Sequence, residues 1–211
     1  MPHSASFAGL ILAAGQSSRM GTEKALLPWP PTSPGQPQSS KTFLAAAIRS
    51  LSLATDFDLV VAGKNEAALA PIAYADGASI VINPDPERGQ FSSLQLGLHE
   101  VLNRGRDTAI ITLVDRPPAG ALTVQALREA YETAGKDVWA VVPDYSGKHG
   151  HPFVAGREMI EALLQAPCTS TAREVEHKHR DHILYLPVND PFVAVNINTP
   201  DDYEALPARS L

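Results

Sequence analysis

Phe7-Ala8-Gly9-Leu10-Ile11-Leu12-Ala13-Ala14-Gly15 is apolar from end to end and stops at a glycine. A strand with one wet face would alternate polar and apolar side chains. This run does not, so it predicts a strand buried on both faces, the kind found in parallel sheets. Similar runs recur at 57–62, 79–82, 108–114 and 138–142, and each predicts a buried strand. Between them lie helical patterns at 41–54, 65–75, 91–103 and 121–134. In the third, Leu94, Leu98, Val101 and Leu102 share one face, and in the fourth Val124, Leu127, Tyr131 and Ala134 do so. The β-α-β-α alternation predicts an α/β fold with a mainly parallel sheet and helices on both faces, a three-layer arrangement. Beyond about residue 143 the pattern loosens. Helices are expected at 157–165 and 170–178, and apolar runs at 182–188 and 192–197 are expected to wall one side of a cleft and return a strand to the sheet.

The chain has 211 residues, enough for one sizeable core, and is expected to be one domain. With 44% hydrophobic and 19% charged residues its composition is globular. A formal net charge of −6 argues against a nucleic-acid-binding surface, so any phosphate binding must be local. The one cysteine, Cys168, can form neither an internal disulfide nor a cysteine-rich zinc site, which makes a reducing cytoplasm the expected compartment. Residues 1–6 lack the basic region of a signal peptide, and no apolar run has the roughly 18 residues needed to span a bilayer. A soluble protein without a membrane partner is expected. The segment 28–40 carries five prolines, which can continue neither a helix nor a central strand, and is expected to be a mobile surface loop: a tolerated insertion, or a lid or partner contact.

The first run opens into Leu12-Ala13-Ala14-Gly15-Gln16-Ser17-Ser18-Arg19-Met20-Gly21-Thr22-Glu23-Lys24-Ala25-Leu26-Leu27-Pro28. Small residues at Ala13, Ala14 and Gly15 let a ligand lie against the main chain, where free N–H groups bind phosphate oxygens. Arg19 and Lys24 add two cations on the same loop, able to neutralise a triphosphate and the charge on departing pyrophosphate. Either cation alone would read as an ordinary solvated side chain. The spacing is neither that of a Walker loop nor that of a dinucleotide-binding glycine motif. Asp115 ends the run 108–114 and precedes Arg116-Pro117, at the carboxyl end of a strand where open α/β sheets place their sites. A hard carboxylate there suits Mg²⁺; the bland alternative is a turn-initiating Asp.

The loop resembles the signature L-A-A-G-x-S-x-R-M-G-x-x-K-x-L-L-P of the nucleotidyltransferases that act in molybdenum cofactor maturation, particularly the cytidylyltransferases. The resemblance implies a Rossmann-like fold, with the NTP held by Leu12, Ala13, Ala14, Gly15, Ser17, Arg19 and Lys24 and catalytic roles for Arg19, Lys24 and Asp115. Gly89-Gln90-Phe91-Ser92-Ser93-Leu94-Gln95-Leu96-Gly97-Leu98 is similar to the family's G-x-x-S-S-L-x-x-G-L, which implies that Ser92 and Ser93 meet the base and ribose, with Asn83 as a nearby polar contact. An N-cap is the plainer use of either serine. Leu113-Val114-Asp115-Arg116-Pro117 resembles the L-x-D-x-P element that carries Mg²⁺.

Near the C-terminus the cytidylyltransferases show D-I-D-T-P, whereas this chain has Asn196-Ile197-Asn198-Thr199-Pro200; the related guanylyltransferases carry N-x-N-T-P. An amide oxygen can still coordinate Mg²⁺, so Asp115, Asn196 and Asn198 are the candidate ligands, with Asn196 the first choice of the two amides. Period-two spacing on an expected strand would put both amides on one face. Gly150-His151-Pro152 resembles the family's G-H-P element, implying that His149 and His151 face the acceptor; two histidines without a third ligand make a poor zinc site. His177, His179 and His182 read as a solvated helix end.

The resemblance implies transfer of CMP from CTP to molybdopterin, with a recipient molybdoenzyme as partner. Leu12-Ala13-Ala14-Gly15 matches the CTP-using branch, since guanylyltransferases have L-A-G-G there, while the asparagines point toward GTP. A nucleotidyltransferase for a sugar or alcohol phosphate, and an inactive nucleotide-binding regulator or cofactor chaperone, remain as alternatives.

Overall fold

The apolar runs form the sheet. The computed structural model describes residues 5–15, 20–31, 37 and 39–206, and its elements follow one another as β1 (Phe7–Leu12), α1 (Phe43–Ser52), β2 (Phe57–Ala62), α2 (Glu66–Ala75), β3 (Ser79–Ile82), α3 (Gln90–Asn103), β4 (Thr108–Leu113), α4 (Ala121–Thr133), β5 (Ala140–Tyr145), β6 (Lys148–His149), β7 (Phe153–Ala155), α5 (Arg157–Gln165), α6 (Ala172–Lys178), β8 (Ile183–Pro187) and α7 (Pro200–Glu204). The strand order is β3-β2-β1-β4-β7-β5-β6, with β8 also paired to β5. Strands β1 to β4 are mutually parallel, β8 runs parallel to β5, and β7 is antiparallel to both β4 and β5.

Alternation along β1 sends Phe7 and Ile11 to one face and Ala8, Leu10 and Leu12 to the other. Leu44 and Ile48 of α1, Leu69 of α2 and Leu127 of α4 cover the first face. Leu94 and Leu98 of α3 and Met159 and Leu163 of α5 cover the second. All six residues of β1 are therefore buried. The uninterrupted apolarity of 7–12 reports this double cover. Helix α3 lies close enough that a Cβ at Gly97 would stand 2.6 Å from Leu10 Cδ1. The run 79–82 is the exception: β3 is the sheet edge and stays half-exposed, with Ile82 at 51%.

The strand expected to return from the tail is β8, which pairs parallel with β5. The reading of 192–197 as a strand is corrected. The Asp190 carboxylate accepts from Phe192 N–H, a 3₁₀ turn spans Pro191–Ala194, and no ladder follows. Their apolarity serves packing instead: Val193 joins the first face's core, and Val195 and Ile197 pack with Met20, Phe43 and Leu206 in a third cluster. The described ends of the proline-rich segment are tied to the body of the fold, while residues 32–36 and 38, on which the expected mobile loop falls, lie outside the described residues. Trp29 N–H donates to Lys41 O at 2.8 Å, Tyr203 Oη donates to Pro28 O at 2.6 Å, and the Trp29 ring packs on Phe43 and Phe192. Among the described residues no helix is long and apolar enough to cross a membrane.

Candidate active site

Strand order reverses beside β1. The chain moves outward from β1 to β2 and β3, then α3 carries it back and β4 pairs on the other side of β1. Loops leaving the carboxyl ends of β1 and β4 therefore diverge, and a crevice opens between them. Two cavities meet there, sharing Leu12, Gln90 and Leu113. The smaller, about 210 Å³, is lined by Ala14, Gly15, Lys24, Ser93 and Asp115. The larger, about 1200 Å³, runs from Arg116 and Asn196 to the strand β6 and the helix α6.

Asp115 lines the smaller cavity, and its chain neighbour Arg116 lines the larger. Val114 N–H donates to Leu12 O, and Ile197 N–H donates to Asp115 O at 2.9 Å, so its backbone is tied both to β1 and to the 192–197 segment. Its Oδ2 lies 4.0 Å from Lys24 Nζ, with the two side chains 31% and 13% exposed. Its Oδ1 is buried and makes no hydrogen bond; so are Arg116 Nε and His151 Nδ1. Buried polar atoms are nearly always paired, and three unpaired ones around one crevice mark a place built for a polar ligand.

The nucleotide-loop candidates divide. Leu12, Ala14, Gly15 and Lys24 line the crevice, whereas Ala13 is fully buried, its N–H on Val61 O and its carbonyl on Asn65 Nδ2. Ser17 and Arg19 lie outside the described residues. Asn83, Ser92 and Ser93 come together as one network: Asn83 Nδ2 donates to Ser92 Oγ at 3.0 Å and Ser93 Oγ at 2.9 Å, and its Oδ1 accepts from Asp85 N–H. Asn83 is 6% exposed and stands behind the serines, of which Ser93 reaches the smaller cavity.

Asn196 is exposed on the wall of the larger cavity. Asn198 lines neither cavity; its N–H donates to the Asp202 carboxylate, which caps α7. The expected strand would have put both amides on one face, but the segment is irregular, and the two are placed differently. Among the described residues no group of three or more His, Cys, Asp or Glu could hold a metal. The donors on offer are one carboxylate with an unpaired oxygen and one exposed amide.

Strands β6 and β7 both pair with β5, but their registers are offset by two residues, Asp144 facing His149 and Val141 facing Val154. The extra residues are in Gly150-His151-Pro152, which bulges toward the larger cavity. His149 stacks on Tyr185 at 4.0 Å, with Nε2 3.3 Å from Asp144 Oδ2. Burial, with help from the Arg116 charge, pushes His151 down to about 3, so it is neutral at pH 7 and can act there as a hydrogen-bonding group, not a cation. A Cβ at Gly150 would stand 1.7 Å from Val193 O, because His151 N–H closes on that same carbonyl. Gly150→Ala is expected to cost about 2 kcal/mol by overpacking, read as a fall of about 4–8 °C in Tm. An unchanged melt would show that the bulge can give way.

Sequence reasoning did not single out the cations of the larger cavity: Arg88, Arg116, Lys148, Arg173 and Arg180, against the single carboxyl of Glu176. A chain of net charge −6 thus presents a cationic cavity. These residues are scattered over 93 positions and form no motif. Only Arg173, Glu176, His177 and Arg180, at i, i+3, i+4 and i+7, carried a helical-face signal. Of the three histidines expected at a solvated helix end, His177 is exposed in the last turn of α6, on the cavity wall, whereas His179 and His182 are half-buried against Trp139, the latter stacked at 3.9 Å.

A family model described as MobA-like NTP transferase domain matches residues 9–183. A probable molybdenum cofactor guanylyltransferase of Rhodopirellula baltica is 28% identical over 212 residues, covering 96% of this chain and 93% of that protein. The molybdenum cofactor cytidylyltransferase of Escherichia coli is 25% identical over 195 residues, 92% of each chain. Among solved structures, the Mycobacterium tuberculosis protein Rv0371c superposes with a TM-score of 0.77 at 26% identity, over 96% of this chain and 98% of that one.

Proposed function

This chain belongs to the family of MobA-like NTP transferase domains, and we propose that it moves CMP from CTP onto the phosphate of a molybdopterin-type acceptor, releasing pyrophosphate. The observation that carries this reading is the meeting of two cavities at Leu12, Gln90 and Leu113, one beside the glycine loop and holding the Lys24–Asp115 pair, the other walled by cations from Arg116 onward. Nucleotide on one side and an anionic acceptor on the other would bring the reacting atoms together beside Asp115.

In this reading Ala14, Gly15 and Ser93 wall the nucleotide subsite, with Ser17 and Arg19 completing the loop, and Lys24 supplies positive charge at the phosphates. An acceptor phosphate oxygen attacks the α-phosphorus; the bond to the β-phosphate oxygen breaks, and pyrophosphate leaves with the electron pair. No side chain need act as a base, since the attacking phosphate is already ionised at pH 7. Positioning and charge stabilisation carry the rate.

Asp115 Oδ1, buried and unpaired, fits a divalent cation that arrives with the nucleotide, since Mg²⁺ takes one or two carboxylates and fills its shell with phosphates and water; Asn196, on the wall of the larger cavity, is the amide that would join it. Held by Asp115 and Asn196, such a cation would supply positive charge against the charge that develops on the phosphates. His149, His151 and Arg116 belong to the acceptor side, where Arg116 meets the acceptor phosphate.

The preference for CTP rests on the Ala14 methyl, which lines the smaller cavity and narrows it against a purine. Guanylyl transfer is the second reading, favoured by Asn196 and Asn198. Ala14→Gly should raise GTP use relative to CTP by about 10-fold in kcat/KM, the worth of one small group in a fitted pocket. Equal turnover of both nucleotides by the native chain would sink the CTP preference. Pyrophosphate release from a panel of NTPs with molybdopterin, sugar phosphates and alcohol phosphates tests the whole assignment; no release from any pairing would favour a binding protein.

A further inference from the structure

The larger cavity's wall on α6 has one feature that phosphate binding does not explain. Arg173, Glu176 and His177 of α6 line the cavity, joined by Arg180 from the 3₁₀ turn that follows the helix, and Glu176 is the one carboxyl among the described residues that line it. Charges at these spacings usually pair along a helix. Here they do not: no hydrogen bond or salt bridge joins the Glu176 carboxyl to either arginine. Burial raises Glu176 to about 7, with Arg173 offsetting part of the effect. A carboxyl raised in the folded state contributes stability only while protonated, and that contribution fades as pH rises from its unfolded value through 7. Near neutral pH the fold therefore gains nothing from placing this group here.

A carboxyl in a cationic cavity repels the phosphate end of a ligand and must face its other end. Adjacent N–H donors are what two carboxyl oxygens accept best, in a parallel pair of hydrogen bonds. Resting on the acceptor proposed above, we propose that Glu176 is a specificity-determining residue: it accepts the ring and exocyclic N–H groups of a 2-amino-4-oxo-pyrimidine edge on the acceptor heterocycle, while the cations nearer Asp115 hold the phosphate. The cavity's length, from Arg116 and Asn196 to α6, separates the two ends of the ligand in this way.

The test compares the native chain with Glu176→Gln and Glu176→Asp, using molybdopterin at saturating CTP. Glu176→Gln keeps the size but replaces one acceptor with a donor, so the acceptor KM should rise about 10-fold, with kcat and the KM for CTP within two-fold of native. Equilibrium binding of molybdopterin without nucleotide should weaken by the same factor, and Glu176→Asp should recover part of it. A phosphorylated acceptor lacking the 2-amino group should bind the native and Gln chains alike. Native turnover with an unchanged acceptor KM in Glu176→Gln overturns the role of Glu176 alone, as does a change confined to Tm or to the KM for CTP. No turnover of molybdopterin by the native chain overturns the acceptor assignment itself.

Discussion

Asp115→Asn is expected to lower kcat by about 10³-fold, since a carboxylate that holds a cation on developing phosphate charge supplies several kcal/mol. The substitution keeps the shape of the side chain and removes its charge. Oδ1 has no hydrogen-bond partner to lose, and Oδ2 is 4.0 Å from Lys24 Nζ, so the fold should lose little. Circular dichroism and Tm should match the native chain while single-turnover CMP transfer collapses and the concentration of Mg²⁺ needed for half-maximal rate rises. A kcat near the native value would take Asp115 out of the metal site and with it the mechanism proposed here.

The second large effect is at Lys24. Removal of one fixed donor aimed at transition-state charge lowers rates by about 10²-fold, and Lys24→Ala should do so in kcat/KM. Lys24 opens the 3₁₀ turn Lys24–Leu26, in which Ala25 is wholly buried, so its backbone is held by packing that the side chain does not share. If the ammonium acts chiefly on departing pyrophosphate, kcat carries the loss; if it grips the triphosphate equally in the ground state, the KM for CTP carries it. Lys24→Arg should restore only part, because a planar fork does not occupy the place of a compact point charge. Unimpaired transfer by Lys24→Ala would move the phosphate-gripping role elsewhere on the loop.

The two positions differ in how far the sequence alone could place them. Asp115 ends a buried run, and the rule that sites gather at carboxyl ends of parallel strands needs only the local pattern. Lys24 follows a glycine turn that no periodicity describes, and its nearness to Asp115 is a contact across 91 residues. The asparagines show the opposite case. The apolar side chains of 192–197 predict a strand, yet the Asp190 carboxylate and Pro191 set a 3₁₀ turn over Pro191–Ala194, and the irregular backbone that follows gives Asn196 and Asn198 different surroundings. Apolarity reports burial, and burial does not require a ladder.

Local pattern determined the layered α/β fold and the spans of most of its elements, since runs such as Phe57–Ala62 and Ser79–Ile82, and the helix Arg157–Gln165, depend on periodicity within a few residues. It determined the family through the glycine loop and the Asp115 turn. Tertiary structure decided that β7 enters antiparallel between β4 and β5, that Gly150-His151-Pro152 bulges into the cavity, and that Arg88, Arg116, Lys148, Arg173 and Arg180 share one wall with Glu176. A cavity wall is assembled from side chains whose common property is where the packed elements leave a gap. That gap belongs to the packing of whole layers, and no window of sequence contains it.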